Sequence, residues 1–121
     1  MKLKQVQQMV WSWCRETFEG IAAWETTQER AYRFLEEAVE LFQAVGMTEL
    51  DAIKIVDYVY KRPVGEISQE IGGTMITLLA LASQQDQCVE SSMLAEYNRI
   101  TQPEVQQKIR AKQLAKNQAF L

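Results

Sequence analysis

The sequence predicts an all-α fold, and three observations support this. Apolar residues recur at helical spacing, and residues able to cap a helix precede the apolar runs. No stretch shows the sustained period-two alternation or the Asn-Gly turn that is typical of a β-hairpin. The chain has 121 residues, which fits one domain, and we expect a bundle of four to five helices over residues 1–121.

Five helices are predicted in chain order, at about residues 2–18, 27–45, 49–61, 66–85 and 104–119. Thr26 can cap the second helix, with Glu29 three residues later as in a capping box, and Gly46 ends it. Thr48 and Asp51 repeat the capping pattern at the start of the third helix. The two prolines separate helices, so the helix boundaries follow from local signals.

Composition excludes several classes of function. The net charge of −3 is too small to predict nucleic acid as a stable partner. Histidine is absent, which excludes His-based zinc sites and Ser-His-Asp triads. Cys14 and Cys88 form no CxxC pair, and we expect both to be buried thiols in a reducing cytoplasm. No signal peptide is visible, and no run reaches the ~20 apolar residues that span a bilayer, so we expect a cytoplasmic protein without membrane contact.

The second predicted helix carries acidic residues opposite an apolar face. At about 100° per residue, one face collects Phe34, Leu35, Ala38, Leu41, Phe42 and Val45. Glu36, Glu37 and Glu40 fall outside that face, and Glu37 and Glu40 are three residues apart and therefore adjacent. For this helix alone, a solvated acidic face is the simpler interpretation.

The fourth predicted helix is apolar over most of its circumference, which predicts a buried helix. One narrow stripe is polar or small, consisting of Glu66, Glu70, Gly73, Thr77 and Ala80. A buried carboxylate is costly unless it is paired or bound to metal, so Glu70 is either a metal ligand or a salt-bridge partner of Arg33 or Lys54. Gly72 and Gly73 cost about 1–2 kcal/mol relative to two alanines, which close helix packing or a ligand would offset.

Together, the two helices indicate a metal site. Carboxylates from two facing helices, without any histidine, form an all-oxygen site that selects Mg²⁺ or Mn²⁺ over zinc. Mg²⁺ retains several waters and is normally completed by substrate phosphates. One bound water can then act as the nucleophile, with a spare carboxylate as its base.

These residues resemble the MazG-like all-α NTP pyrophosphatase superfamily, which also includes the dimeric dUTPases. The family signature is ExxE on one helix and ExxD on the next. The first half matches Glu36-Glu37-Ala38-Val39-Glu40-Leu41, and the second half begins at Gln69-Glu70-Ile71-Gly72-Gly73. The likeness covers about residues 30–83. The aspartate of the family falls at Gly73, but residues 56–66 and the glycine pair resemble a phage- or mobile-element-type subset in which this pair is usual.

The resemblance implies Mg²⁺-dependent hydrolysis of a nucleoside triphosphate between its α- and β-phosphates, with Mn²⁺ as a substitute metal. The implied metal ligands are Glu37, Glu40 and Glu70, with Glu66, Asp57 or Glu36 as candidates for the missing fourth ligand. We take Glu36 and Glu37 as the candidate catalytic carboxylates. The resemblance also implies a homodimer or homotetramer with the site partly built at subunit contacts.

Candidate substrate contacts lie outside the carboxylate motif. From Arg99 onward the chain carries five cations against Glu104 alone, and the triphosphate candidates among them are Lys108, Arg110 and Lys112. Trp24, in a less regular stretch before the second helix, is the candidate for base stacking. A solvated face and a packed core explain these residues without a ligand. The alternative functions are a nucleotide- or partner-binding bundle that has lost catalysis, and a helical interaction protein with solvated acidic faces.

Overall fold

The computed structural model describes residues 2–118, and over that range the chain is all-α with six helices and no strand. The helices are α1 (Leu3–Phe18), α2 (Thr27–Ala44), α3 (Glu49–Tyr60), α4 (Ile67–Gln84), α5 (Val89–Ile100) and α6 (Pro103–Gln118). The all-α prediction is confirmed, whereas the prediction of four to five helices is wrong because α5 adds a sixth. Its N-cap residue Cys88 makes no side-chain cap hydrogen bond, so α5 lacks the local signal that marks α2 and α3. The predicted end of the last helix, residue 119, lies outside the described residues.

The predicted helix caps of α2 and α3 are present. The backbone N–H of Glu29 donates to Thr26 Oγ1 at 3.2 Å, and Gly46 follows α2 with φ at +96°. At α3, the N–H of Asp51 donates to Thr48 Oγ1 at 3.2 Å, and the N–H of Thr48 donates to Asp51 Oδ2 at 3.0 Å. The backbone hydrogen bond from Thr48, followed by the bond from its hydroxyl, holds the pKa of the Asp51 carboxyl below its usual value.

The chain divides into two compact units, with residues 31–87 inserted between the two parts of the other. Unit 1 comprises residues 2–30 and 88–118 of the described range, and unit 2 comprises residues 31–87. Unit 1 therefore holds α1, α5, α6 and the first residues of α2. Unit 2 holds the rest of α2 together with α3 and α4.

Unit 1 has a core built around Phe18. The core side chains are Cys14, Phe18, Ile21 and Trp24, with Trp13 and Ile109 packed against them. The Phe18 ring lies 5.8 Å from the Trp13 ring and 5.9 Å from the Trp24 ring, measured between centroids. The guanidinium carbon of Arg30 lies 4.9 Å from the Phe18 centroid, which is within the range of a cation–π contact.

Polar contacts link distant parts of the chain within unit 1. Trp13 donates its indole N–H to the Ile100 carbonyl at 3.1 Å, and Gln106 Nε2 donates to Thr17 Oγ1 at 2.8 Å. Gln113, which is only 3% exposed, donates from Nε2 to the buried carboxylate of Glu29 at 2.6 Å. α6 therefore packs on the rest of unit 1 through hydrogen bonds as well as through apolar contacts.

Unit 2 has no comparable core. No described residue between positions 31 and 87 is buried. The helix pairs that pack closely are α1 with α6 and α5 with α6, and no pair among α2, α3 and α4 packs to that extent. The prediction of a buried α4 is wrong for the single chain. Ile67, Ile71 and Ile76 are 79%, 62% and 66% exposed, because none of the described helices packs closely on α4.

The two cysteines differ in environment. Cys14 is buried in unit 1, which confirms the prediction, but Cys88 is exposed, so the prediction for Cys88 is wrong. The N-cap position places Cys88 at the solvent-facing start of α5 rather than in a core. Burial raises the pKa of the Cys14 thiol, whereas the side-chain hydrogen bond with Ser91 lowers the pKa of the Cys88 thiol.

Alkylation of the two thiols is expected to occur at clearly separated rates. The lower pKa of Cys88 gives more thiolate near neutral pH, and its exposure admits the reagent, so we expect it to react at least roughly tenfold faster than Cys14. Timed iodoacetamide labelling with peptide mass spectrometry measures both rates. In Cys88→Ser, the remaining thiol should react only after denaturant is added. Equal rates in the native protein would contradict the burial of Cys14.

Candidate functional site

The carboxylates predicted as metal ligands all belong to unit 2. Glu37 and Glu40 lie on α2 and Asp57 lies on α3, while Glu66 is the N-cap residue of α4 and Glu70 lies in its first turn. All five are exposed, and Glu36 beside them is half-buried. α2 and α4 thus each display one half of the predicted carboxylate motif on a solvent-facing surface.

On α2, Glu36 forms an ion pair with Arg33. The Arg33 NH1 nitrogen lies 3.3 Å from Glu36 Oε1, and the Arg33 side chain is 15% exposed. The pair spans one helical turn and holds the Glu36 carboxylate beside a cation. Glu36, a candidate catalytic residue, is therefore positioned by a side chain of its own helix.

On α3, Asp57 forms an ion pair with Lys61. The Lys61 Nζ nitrogen lies 2.7 Å from Asp57 Oδ2. The side chain of Asp57 is 62% exposed and that of Lys61 is 74% exposed. An exposed pair one turn apart gives only modest stabilisation and can open readily. Asp57 is accessible, and the ion pair engages only its Oδ2 oxygen.

On α4, Glu70 lies against Gly65. A Cβ atom added at Gly65 would lie 3.0 Å from Glu70 Oε1, so the glycine leaves room for this carboxylate beside the start of the helix. Carboxylates near a helix N-terminus are favoured by the partial positive charge of its free N–H groups. Glu70 is exposed, so the prediction that this carboxylate is buried is wrong. Its charge lies in the first turn of α4 and is solvated.

The described residues of one chain do not assemble these carboxylates into a single cluster. Between residues 2 and 118, no three histidine, cysteine, aspartate or glutamate side chains are grouped so that they could hold a metal ion. The donor type nevertheless suits Mg²⁺, since every candidate ligand is a carboxylate, and all of them except the half-buried Glu36 are exposed. The oxygen donors suit the ion, and over residues 2–118 the candidate ligands on α2 and α4 are not grouped with each other.

The predicted substrate contacts belong to unit 1. Lys108 and Lys112 are exposed on α6. Arg110 donates from NH1 to the Thr17 carbonyl at 3.0 Å and to the Glu19 carbonyl at 2.6 Å. These bonds place a cation at the C-terminal end of α1, where it complements the helix dipole.

Trp24 lies in the core of unit 1 rather than on an open surface. The residue is 9% exposed, and its ring lies 5.2 Å from the Trp11 ring and 5.9 Å from the Phe18 ring, between centroids. The Arg30 guanidinium carbon lies 5.9 Å from the Trp24 centroid. Because only 9% of Trp24 is exposed, the residue offers little ring surface on which a nucleotide base could stack.

Sequence reasoning did not identify the buried polar group around Gln113. This side chain donates to Glu29 and accepts a hydrogen bond from Arg30 NH2 at 3.2 Å. The partners lie 83 and 84 positions away in the chain, so no local pattern marks them. The one available signal was Glu29, which the capping pattern had already explained.

Comparison with protein-family models, with curated proteins and with solved structures finds no match to this chain. The similarity to the MazG-like superfamily is therefore a prediction from the carboxylate motif. Among the described helices, none is both long enough and apolar enough to cross a membrane.

Proposed function

We propose that this chain is a cytoplasmic, Mg²⁺-dependent nucleoside triphosphate pyrophosphohydrolase that works as a homo-oligomer. One observation carries the proposal: Glu37 and Glu40 on α2 and Glu70 on α4 are exposed carboxylates on two helices of the same unit. Their order and spacing resemble the two halves of the MazG-like motif. Both helices also carry exposed apolar residues that require a packing partner.

The carboxylates flank the apolar faces of their helices. Glu37 lies one turn before Leu41, and Glu70 lies one turn after Ile67, so each acidic residue neighbours an apolar one. Leu41 and Ile67 are 39% and 79% exposed. Packing that buries these faces would leave the carboxylates at the perimeter, in reach of water and of a hydrated cation.

The residues have distinct proposed roles. Glu37, Glu40 and Glu70 hold the ion, and Glu66 or Asp57 replaces the aspartate that the family has at the position of Gly73. Mg²⁺, or Mn²⁺ in its place, supplies neutralisation of phosphate charge when bound. Glu36 or Glu37 accepts the proton of the attacking water as its oxygen bonds to the α-phosphorus. The α–β phosphoanhydride bond breaks, which yields a nucleoside monophosphate and pyrophosphate.

Of the proposed triphosphate contacts, Lys108 and Lys112 are the better supported. Both are exposed and lie one turn apart on α6, so their ammonium groups can reach the same anion. The Arg110 guanidinium instead donates hydrogen bonds to carbonyls at the end of α1, and the Trp24 ring packs in the core of unit 1.

Pyrophosphate release from a panel of ribo- and deoxyribonucleoside triphosphates with Mg²⁺ tests the proposal. The wild type should release pyrophosphate from at least one nucleotide. Glu37→Gln and Glu70→Gln each remove a ligand charge at nearly constant shape, and each should lower kcat/KM at least about 100-fold. Glu49→Gln is the matched control, because Glu49 is an exposed first-turn residue of α3 without a proposed role, and its activity should be that of the wild type.

Two outcomes would count against catalysis. If no nucleotide is hydrolysed and none raises the melting temperature of the protein, the nucleotide-directed function is rejected. If a nucleotide raises the melting temperature but is not hydrolysed, the alternative of a catalytically impaired binding bundle replaces the enzyme.

A further inference from the structure

The solvent-exposed face of α1 carries a shallow groove that the proposed function does not use. The groove has a volume of about 460 Å³, and its lining residues all belong to unit 1. We call it the α1 groove, and its lining residues are Lys4, Gln7, Gln8, Trp11, Ser12 and Arg15. Four of them are spaced four, three and four residues apart, so they form one row along the helix, consisting of Lys4, Gln8, Trp11 and Arg15.

The charged residues of the α1 groove are cations without a protein partner. Within residues 2–118, neither Lys4 nor Arg15 forms an ion pair. Lys4 lies in the first turn of α1, where the partial positive charge of the free N–H groups disfavours a cation, so helix stability does not account for it. Because no acidic side chain of the described residues lines the groove, its charge favours an anionic ligand.

Trp11 places an aromatic ring between the two cations. The residue is 40% exposed, and its ring lies 5.2 Å from the Trp24 ring, between centroids, so a core residue orders it. An ordered and partly exposed indole can stack on another planar ring with little loss of conformational entropy. The helical rise places Lys4 and Arg15 about 16 Å apart along α1, with Trp11 between them.

We propose that the α1 groove binds single-stranded nucleic acid, with a base stacked on Trp11 and phosphates paired with Lys4 and Arg15. Cations that follow the backbone and aromatic rings that stack with bases are the features by which proteins bind single strands without sequence preference. The exposed amides of Gln7 and Gln8 can donate hydrogen bonds to phosphate or base oxygens. With two phosphate contacts, and a net charge of −3 over the whole chain, the binding is weak and depends on salt.

A single strand fits the α1 groove better than a membrane or an acidic peptide does. A helix that lies in a membrane buries a face of several large apolar residues, whereas Trp11 is the one large apolar residue that lines this groove. An acidic peptide can pair with both cations but need not supply a planar ring for the indole.

A single strand also fits the α1 groove better than one nucleotide does. Along the helix, Trp11 lies about 10 Å from Lys4 and about 6 Å from Arg15. A mononucleotide stacked on Trp11 therefore has one phosphate group for two separated cations. A chain of bases and phosphates matches the whole row.

Binding of the full chain to fluorescein-labelled oligothymidylate and oligouridylate of about 12 nucleotides tests the proposal. Fluorescence anisotropy is measured with EDTA and without Mg²⁺, so neither the proposed metal site nor hydrolysis contributes. The wild type should bind with a dissociation constant of about 1–100 µM at low salt. Two phosphate contacts predict that the logarithm of the association constant falls with the logarithm of the salt concentration with a slope of about −1.4.

Variants of the α1 groove separate its charges from its ring. Lys4→Gln and Arg15→Gln should each reduce the slope to about −0.7, since each removes one phosphate contact. Trp11→Ala should weaken binding at least about fivefold, whereas Trp11→Phe retains a ring and should bind within about threefold of the wild type. Lys54→Gln is the matched control, because Lys54 is an exposed cation on α3 without a proposed role, and it should bind as the wild type does. Circular dichroism checks folding, and if Trp11→Ala does not fold, the two charge variants decide.

Several results would overturn the proposal. One is the absence of oligonucleotide binding at low salt, and another is binding that is unchanged in Lys4→Gln and Arg15→Gln. Equal or tighter binding of polyglutamate would assign the α1 groove to an acidic peptide, and equal or tighter binding of phosphatidylserine vesicles would assign it to a membrane. Thymidine monophosphate that competes as well as the oligonucleotide would show a site for one nucleotide. Pyrophosphate release is measured separately, so the loss of either function leaves the other standing.

Discussion

Replacing Phe18 with alanine is expected to lower the free energy of unfolding of unit 1 by about 4 kcal/mol. Phe18 is 4% exposed and contacts the rings of both Trp13 and Trp24 in the core of the unit. The substitution removes the aromatic contacts, leaves a cavity, and deprives the Arg30 guanidinium of the ring beneath it. Chemical denaturation followed by tryptophan emission measures the change, because the tryptophans report on this unit.

Phe34→Ala is the control for that experiment, since it removes the same side chain from an exposed position. Phe34 is 56% exposed on the part of α2 that belongs to unit 2. Its removal should leave the tryptophan-detected transition unchanged, although we expect it to weaken association of the chain. A loss below about 1 kcal/mol in Phe18→Ala, or an equal loss in both variants, would contradict a core centred on Phe18.

The helices that the sequence predicts well are those with chemical signals at their ends. Thr26 and Thr48 accept the expected hydrogen bonds, and Gly46 adopts the expected positive φ, because capping depends on residues within a few positions of one another. α5 has no such signal, since its N-cap residue is Cys88. Capping residues thus predict the ends of α2 and α3 closely, whereas no capping residue predicts the start of α5.

Burial proved harder to predict than helix formation. The apolar circumference of α4 predicts a buried helix, yet none of the described helices packs closely on it. Ile67 and Ile76 are exposed in the single chain because periodicity identifies an apolar face but carries no information about what covers it. The same limit explains Cys88, whose small apolar side chain favours burial but whose helix-terminal position leaves it in solvent.

In the candidate site, too, features set by local helix geometry are predicted from the sequence, whereas contacts outside the helix are not. The spacing of Glu37 and Glu40 predicts their adjacency, because helix geometry determines which side chains are neighbours. The environment of Glu70 was not predicted, since its contact with Gly65 depends on the turn before α4. Arg110 reaches Thr17 across 93 positions, and no short-range pattern could have separated this role from phosphate binding.

Arg110→Met is expected to lower the free energy of unfolding of unit 1 by about 2 kcal/mol, because it removes two charge-assisted hydrogen bonds at the end of α1. If the Arg110 side chain acts at the end of α1 and not on substrate, kcat/KM for the hydrolysed nucleotide should stay near that of the wild type at temperatures where the variant is folded.

Lys112→Met is expected to raise KM and to leave the free energy of unfolding unchanged. Lys112 is exposed and has little structural role, and its proposed role is in triphosphate binding. Denaturation and steady-state kinetics on both variants separate the two roles. If Arg110→Met instead leaves stability unchanged and raises KM, Arg110 binds the triphosphate, as the sequence predicts.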